Sequence, residues 1–116
     1  MQYLALIYAA PTSGPAYGSP EFGQMMEGYF TLNRLLKEEG AWLAGEGLKG
    51  TETATSVRLR DGKVETMDGP FAETKEHLGG FYMLEAADLD AALRYAAMIP
   101  GAAWGTIEVR PVMDYS

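Results

Sequence analysis

The pattern of apolar and polar residues predicts alternating strands and helices, beginning with a strand from Gln2 to Ala10. Tyr, Leu and Ile dominate this segment, and apolar side chains fall on both of the faces that alternate along a strand. A strand that is apolar on both faces is covered on both sides in the folded protein. The first segment is therefore predicted to be a central strand.

The next segment carries the signature of a helix start. Ser19 is placed to act as the N-cap, Pro20 takes the first helical position and Glu21 puts an acid in the first turn. Apolar residues then recur at steps of three and four up to Gly40, which predicts an amphipathic helix with one buried stripe. The stripe consists of Phe22, Met25, Tyr29, Leu32 and Leu36.

The middle of the chain is predicted to form short strands. A strand is predicted from Ala41 to Leu48, and two more run from Thr55 to Arg60 and from Lys63 to Met67. Asp61-Gly62 joins the last two, and Asp-Gly between alternating segments is a strong signal for a hairpin. A further apolar strand is predicted from Gly79 to Ala86.

The C-terminal part repeats the helix and strand order. Asp88 is predicted to cap a second helix that stops at Pro100-Gly101, and a last strand runs from Gly105 to Val112. The residues predicted to face inward from this helix are Leu89, Leu93 and Ala96.

This order is β-α-β, then a hairpin, then β-α-β. It predicts an α+β fold, a ferredoxin-like antiparallel sheet with two helices on one face. The other face of the sheet is also apolar, and no third helix is left to cover it. A second copy of the same sheet is the simplest cover, so the pattern predicts a homodimer with a two-fold axis.

Four ordered segments connect this chain with a known family. Residues 68–76 read Asp-Gly-Pro-Phe-Ala-Glu-Thr-Lys-Glu and residues 78–82 read Leu-Gly-Gly-Phe-Tyr. With Tyr-Leu-Ala-Leu-Ile-Tyr at 3–8, Gly-Glu-Gly-Leu at 45–48 and Glu-Val-Arg-Pro at 108–111, the chain resembles the DGPF group of YCII-related proteins. The resemblance implies one domain over residues 1–116 and a fold of the dimeric α/β-barrel type. It leaves the reaction open.

Asp68, Glu73 and His77 are the candidate catalytic residues. Two carboxylates beside a Gly-Pro turn could face a partly apolar cleft and exchange protons, or hold an amine or hydroxyl of a ligand. The structural alternative is that Asp68 accepts backbone hydrogen bonds and shapes the turn, with Phe71 as a core anchor.

His77 is the single histidine, and its ordinary pKa suits a general base. It follows Glu73 by four residues, which would align the two on a helical turn. The alternative is that His77 lies at the surface, or that it contacts the site residues without touching a ligand. In the wider YCII-related family a histidine on the first helix is proposed to pair with an aspartate. Because Tyr29 occupies that position here, the resemblance implies no such dyad.

A polar cleft is the second candidate site, with Tyr8, Glu46, Lys75 and Arg110 as ligand-binding residues. Glu46 lies between two glycines on a strand expected to be buried, so its charge requires a partner. Arg110, Lys75 and Arg58 are the candidates. The alternative to a ligand cleft is a salt bridge, either within one chain or across the dimer interface.

Composition narrows the class of protein. The chain has 116 residues, 47% of them hydrophobic, and a net charge of −7. This acidity argues against direct nucleic-acid binding, which needs Lys and Arg on the phosphates, and against an anionic membrane surface. No segment approaches the roughly 20 apolar residues of a membrane-spanning helix.

The absence of cysteine excludes a disulfide framework, a thiolate nucleophile and a zinc-thiolate site. The chain has one histidine and no segment with the residue spacing of a calcium-binding loop, so no metal or cofactor is predicted. The start of the chain lacks the basic residues of a signal peptide, so the protein is predicted to be cytoplasmic.

Two functions follow as hypotheses. The first is a small-molecule enzyme or ligand-binding dimer that uses carboxylates near the Asp-Gly-Pro-Phe turn. The second is a non-catalytic regulatory protein, because DGPF-type proteins are commonly found beside extracytoplasmic-function sigma factors. An acidic surface of the kind seen here could contact a basic patch on such a partner.

Overall fold

The computed structural model describes all residues from 1 to 116. It contains six strands, two helices and two short 3-10 turns at Thr51–Thr53 and Pro100–Ala103. The longer elements are β1 (Gln2–Ala9), α1 (Pro20–Glu38), β2 (Trp42–Gly47), β3 (Thr55–Arg60), β4 (Lys63–Asp68), β5 (His77–Glu85), α2 (Leu89–Ala97) and β6 (Thr106–Pro111).

Four strands form one antiparallel sheet in the order β2-β5-β1-β6. β1 lies between β5 and β6, which confirms the prediction of a central first strand. Each β-α-β half contributes one inner and one outer strand, so the sheet has the ferredoxin-like order that the pattern predicted.

Both helices pack on the same face of this sheet. Leu32 and Leu36 from α1 and Ala96 from α2 share one buried cluster with Ala5 of β1 and Leu84 of β5. Side chains alternate along a strand, so the neighbours of these strand residues face away from the helices. The apolar residues of this second face, here called the open face, are Leu4, Leu6, Phe81 and Met83.

Local signals explain where the helices begin. The Ser19 side chain accepts a hydrogen bond from the Phe22 N–H at 3.2 Å, and the Asp88 side chain accepts one from Ala91 N–H at 2.8 Å. Each bond satisfies a backbone donor that has no partner within the helix. Gly40 follows α1 with a φ of +70°, a conformation that favours glycine.

The predicted inner face of α2 is confirmed at Ala96 and wrong at Leu89 and Leu93. Leu89 and Leu93 are 48% and 46% exposed, whereas Ala92 and Ala96 are buried against the sheet. The helix is turned about its axis so that the two alanines, one turn apart, form the contact. Their small side chains let α2 approach the sheet closely, and the leucines then point outward.

The hairpin of β3 and β4 forms a separate two-stranded sheet. Asp61 and Gly62 both have positive φ, at 51° and 75°, as a tight turn between two strands requires. At the other end, the Gly69 N–H donates to the Ala54 carbonyl at 2.7 Å and the Ser56 hydroxyl donates to the Gly69 carbonyl at 2.8 Å. These bonds close the base of the hairpin.

Candidate functional site

A cavity of about 520 Å³ lies between α1 and the sheet, here called the first cavity. Glycines at the adjoining ends of β2 and β5 leave room beneath the helix because they carry no side chains. The first half of the apolar stripe on α1 supplies the opposite wall. The lining residues that the site argument uses are Tyr29, Asn33, Trp42, Gly45 and Tyr82. Glu46 also borders the cavity, but the β2–β5 register puts its side chain with Phe81 on the other face of the sheet.

Three polar side chains converge in this mostly apolar cavity. The Tyr82 hydroxyl donates a hydrogen bond of 2.5 Å to Oδ1 of Asn33, which links β5 to α1. Burial, with a smaller contribution from the neighbouring Tyr29, raises the pKa of Tyr82 to about 12. Burial also raises the pKa of Tyr29, an effect that the Gly101 backbone N–H partly offsets. Both phenols are therefore protonated near neutral pH and act as hydrogen-bond donors.

The raised pKa of Tyr82 predicts a loss of stability in alkali. A group whose pKa is higher in the folded than in the unfolded state contributes stability below the unfolded value, which is about 10 for tyrosine. That contribution is lost as pH rises through about 12. We expect the urea midpoint of the wild type to fall more steeply between pH 10 and 11.5 than that of Tyr82→Phe.

The matched control for this experiment is Tyr115→Phe, because Tyr115 is exposed at the end of the chain. The urea midpoint of Tyr115→Phe should change with pH as that of the wild type does. Identical profiles for wild type and Tyr82→Phe would contradict a raised pKa at Tyr82.

Trp42 completes the aromatic wall. Its ring meets the Tyr82 ring edge to face, with 5.8 Å between centroids and 82° between planes. An alanine Cβ at Gly45 would lie 2.9 Å from both rings, so glycine at this position permits the aromatic contact. Lys37 places its ammonium 4.9 Å from the centre of the Trp42 ring, a favourable cation–π arrangement.

The candidate catalytic carboxylates lie elsewhere. Asp68 ends β4, opposite Thr55, and both Asp68 and Glu73 are exposed and line neither large cavity. Residues 69–76 form no helix, so Glu73 and His77 do not align on a helical turn. Phe71 is 75% exposed and is not a core anchor. A functional role for the two carboxylates stays a prediction.

His77 and Tyr8 come together at a second cavity of about 500 Å³ beside the base of the hairpin. His77 begins β5, and its Nδ1 lies 3.3 Å from the Thr51 hydroxyl oxygen. Of the predicted site residues, the structure therefore brings Tyr8 and His77 together. Glu46 does not belong to this group, because it lies on β2, opposite Phe81 of β5.

The predicted partners of Glu46 do not meet it within one chain. Glu46 lies on β2 and Arg110 on β6, which are the two opposite edges of the sheet. Lys75 is exposed in the segment before β5. The ion pair in the chain joins the Met1 amino group to Glu85 at 2.9 Å. A Glu46 pair across a dimer interface stays a prediction.

Sequence reasoning missed Asn33 and Tyr82 and assigned Tyr29 to the buried stripe. A usable signal was present, since four glycines stand at the facing ends of two predicted strands, at positions 45, 47, 79 and 80. Glycine in a strand marks close approach or free space. No three metal-ligating side chains cluster in the chain, and neither helix is long and apolar enough to cross a membrane.

The fold and its first cavity place the chain among α+β proteins of the dimeric α/β-barrel type. The chain belongs to the YCII-related family, because the family model described as YCII-related domain matches residues 1–116. An uncharacterised protein of Rhizobium meliloti (strain 1021) is 36% identical over 117 residues, covering 99% of this chain and 94% of the relative.

A solved structure has the same fold. It is the 5-chloro-2-hydroxyhydroquinone dehydrochlorinase of Burkholderia phenoliruptrix AC1100 in complex with 2,5-dihydroxybenzoquinone. The two chains superpose with a TM-score of 0.52 at 14% identity, over 97% of this chain and 94% of the other. At this identity the likeness shows the fold alone.

Proposed function

We propose that this protein binds a small, largely apolar molecule with hydroxyl or carbonyl oxygens in the first cavity and acts on it as an enzyme. The observation that carries the proposal is the convergence of Tyr29, Tyr82 and Asn33 inside an apolar cavity of about 520 Å³. Small-molecule sites are typically concave and apolar, with a few polar groups that fix orientation.

The chemistry of the three groups favours an oxygen-rich ligand. Tyr82 already donates to Asn33, whereas no acceptor is assigned to the hydroxyl hydrogen of Tyr29. A protonated phenol in a mostly apolar cavity donates a hydrogen bond to a carbonyl or to an oxyanion that develops during reaction. Tyr29 is therefore the proposed donor to the ligand, and Tyr82 with Asn33 holds the wall in place.

The structural neighbour supports the same ligand class. That structure is a complex with 2,5-dihydroxybenzoquinone, a hydroxylated ring compound. We propose a compound of this kind for the first cavity, where the Trp42 ring offers an aromatic contact. The carboxylates of the Asp-Gly-Pro-Phe turn are not part of this proposed site, since neither lines the cavity.

Calorimetric titration with hydroquinone and with 2,5-dihydroxybenzoquinone tests the proposal. We expect saturable binding of at least one compound, and Tyr29→Phe should weaken it about three- to tenfold, because one neutral hydrogen bond contributes about 0.5–1.5 kcal/mol. Tyr17→Phe is the matched control, since Tyr17 is 91% exposed and does not line the cavity.

Absence of saturable binding for both compounds would overturn the ligand class, and equal affinity of Tyr29→Phe would overturn the role of that hydroxyl. The regulatory alternative has no particular surface contact in its favour and stays a prediction. Co-purification with a sigma factor encoded beside the gene tests it directly.

A further inference from the structure

The second cavity lies between the two segments that join the hairpin to the sheet. Residues 48–54 form one wall and residues 70–78 the other, with Tyr8 of β1 between them. The backbone bond from Gly69 to Ala54 and the Ser56 bond to Gly69 tie the two segments together. The Leu48 N–H also donates to the Gly79 carbonyl at 2.9 Å. Hydrogen bonds therefore define the shape of this cavity.

The charge of the lining is opposite to that of the chain. The protein has 16 acidic and 9 basic residues, yet no Asp or Glu lines this cavity, whereas Lys49 and His77 do. Lys49 forms no ion pair, since the single pair of the chain is at the N-terminus. Glu76 is not part of the wall, whereas Glu52 holds its carboxylate against the backbone of Gly50, one of the lining residues. No carboxylate lies within 4.0 Å of the Lys49 ammonium, which is therefore available to an anionic ligand.

The remaining groups define what kind of anion fits. Thr53 donates to the Gly50 carbonyl at 2.7 Å and Thr74 donates to the Glu76 carbonyl, so both threonines are already committed as donors. The Thr51 contact occupies Nδ1 of His77 and leaves its Nε2 as a second polar group for a ligand. Leu48 and Leu78 add apolar surface to the wall. Apolar walls next to one ammonium suit a carbon skeleton that ends in one charged group.

We propose that the second cavity is a binding site for a small organic carboxylate. Its carboxylate contacts the Lys49 ammonium, with His77 as the second polar contact, and its carbon skeleton lies against Leu48 and Leu78. The site adjoins the first cavity, with which it shares Leu48 in its wall, but it does not depend on the function proposed there. It also gives a place to the Asp-Gly-Pro-Phe segment, because Pro70 and Ala72 shape its wall.

Nuclear magnetic resonance titration with benzoate tests this site on the full chain. We expect saturable shifts of the His77 ring and of the amides of residues 48–54, with an affinity that Lys49→Met lowers at least about tenfold, because hydrogen bonds to charged groups contribute about 1.5–3 kcal/mol. Lys63→Met is the matched control, since Lys63 lies at the far end of the hairpin and should leave the affinity unchanged. Tyr29→Phe should also leave it unchanged, which separates this site from the first cavity.

A parallel titration with inorganic phosphate separates an organic carboxylate from an anion site of any kind. Phosphate should bind more weakly than benzoate, because it makes no use of the apolar wall. The proposal is overturned if benzoate gives no saturable shift at His77, if Lys49→Met binds as well as the wild type, or if phosphate binds at least as tightly. Lys49 is exposed, so its replacement leaves the core intact.

Discussion

Gly105→Ala is expected to lower the free energy of unfolding by about 3 kcal/mol, the upper part of the range for overpacking a close contact. Gly105 lies just before β6, where the chain passes against the central strand. A Cβ at this position would overlap the Tyr8 carbonyl oxygen and would lie 3.0 Å from the Tyr8 carbonyl carbon and 3.1 Å from Ala9 Cα. All three atoms belong to the backbone of β1 and cannot turn aside as a flexible side chain would.

Relief of this overlap requires β6 to move away from β1. The pairing of Tyr8 with Thr106 is the last of the β1–β6 register, so it is the first that the movement breaks. Gly105 also donates its N–H to the Gly101 carbonyl at 2.9 Å, and that bond holds the turn before the strand. We expect the melting temperature to fall by roughly 10 °C.

Gly47→Ala is the matched control for this experiment. Gly47 also belongs to the sheet, but no heavy atom lies within 4 Å of a Cβ built on it, and its φ is not positive. The free energy of unfolding of Gly47→Ala should stay within about 0.5 kcal/mol of the wild-type value. Equal melting temperatures for Gly105→Ala and Gly47→Ala would contradict the tight approach of β6 to β1.

Sequence reasoning succeeded where one local residue determines the structure. Ser19 and Asp88 satisfy the backbone donors of the helices that they begin, and Asp61-Gly62 adopts the φ angles of a hairpin turn. These signals act over three or four residues and are visible in the chain. The rotation of α2 about its own axis was not visible in the sequence. A nine-residue helix with leucines on one side and alanines on another offers two apolar stripes that could face the sheet.

The candidate site was harder to predict for a physical reason. Tyr82 and Asn33 are 49 residues apart and meet only through the packing of α1 on β5. The segment from Asp68 to His77 attracted attention because its charges cluster in sequence, but Asp68 and Glu73 face solvent. Charges that cluster in sequence indicate a solvent-exposed turn. They do not predict where the folded chain forms a cavity.

Leu6→Asp is expected to convert a homodimer into a monomer. We propose that two copies pack through the open face, because this is the apolar surface of the sheet that neither helix covers. Leu6 lies in its centre, paired with Phe81 on β5 and with Glu108 on β6. A stable interface buries about 800 Å² on each partner, and an unpaired carboxylate at its centre costs several kcal/mol.

Both edges of the open face carry charged residues. Cross-strand pairing places Glu46 beside Phe81 and Arg110 beside Leu4, at opposite edges of this face. A two-fold axis that runs along the strands between two stacked sheets brings opposite edges of the two copies together. Glu46 of one copy then approaches β6 of the other, where Glu108 lies in the same row of the sheet as Glu46 and Arg110 lies two residues along the strand. An ion pair between Glu46 and Arg110 of the two copies stays a prediction.

Light scattering coupled to gel filtration measures this outcome directly. The wild type should elute with twice the 12.6 kDa mass of one chain, and Leu6→Asp with that of a single chain. Leu93→Asp is the matched control, since Leu93 is an exposed apolar residue on the outer side of α2 and its replacement should leave the dimer intact. Because Leu6 does not belong to the buried clusters beneath the helices, the circular dichroism spectrum of Leu6→Asp should stay that of the wild type. A wild type that is monomeric at 100 µM, or a Leu6→Asp variant that stays dimeric, would show that the open face is not the dimer interface.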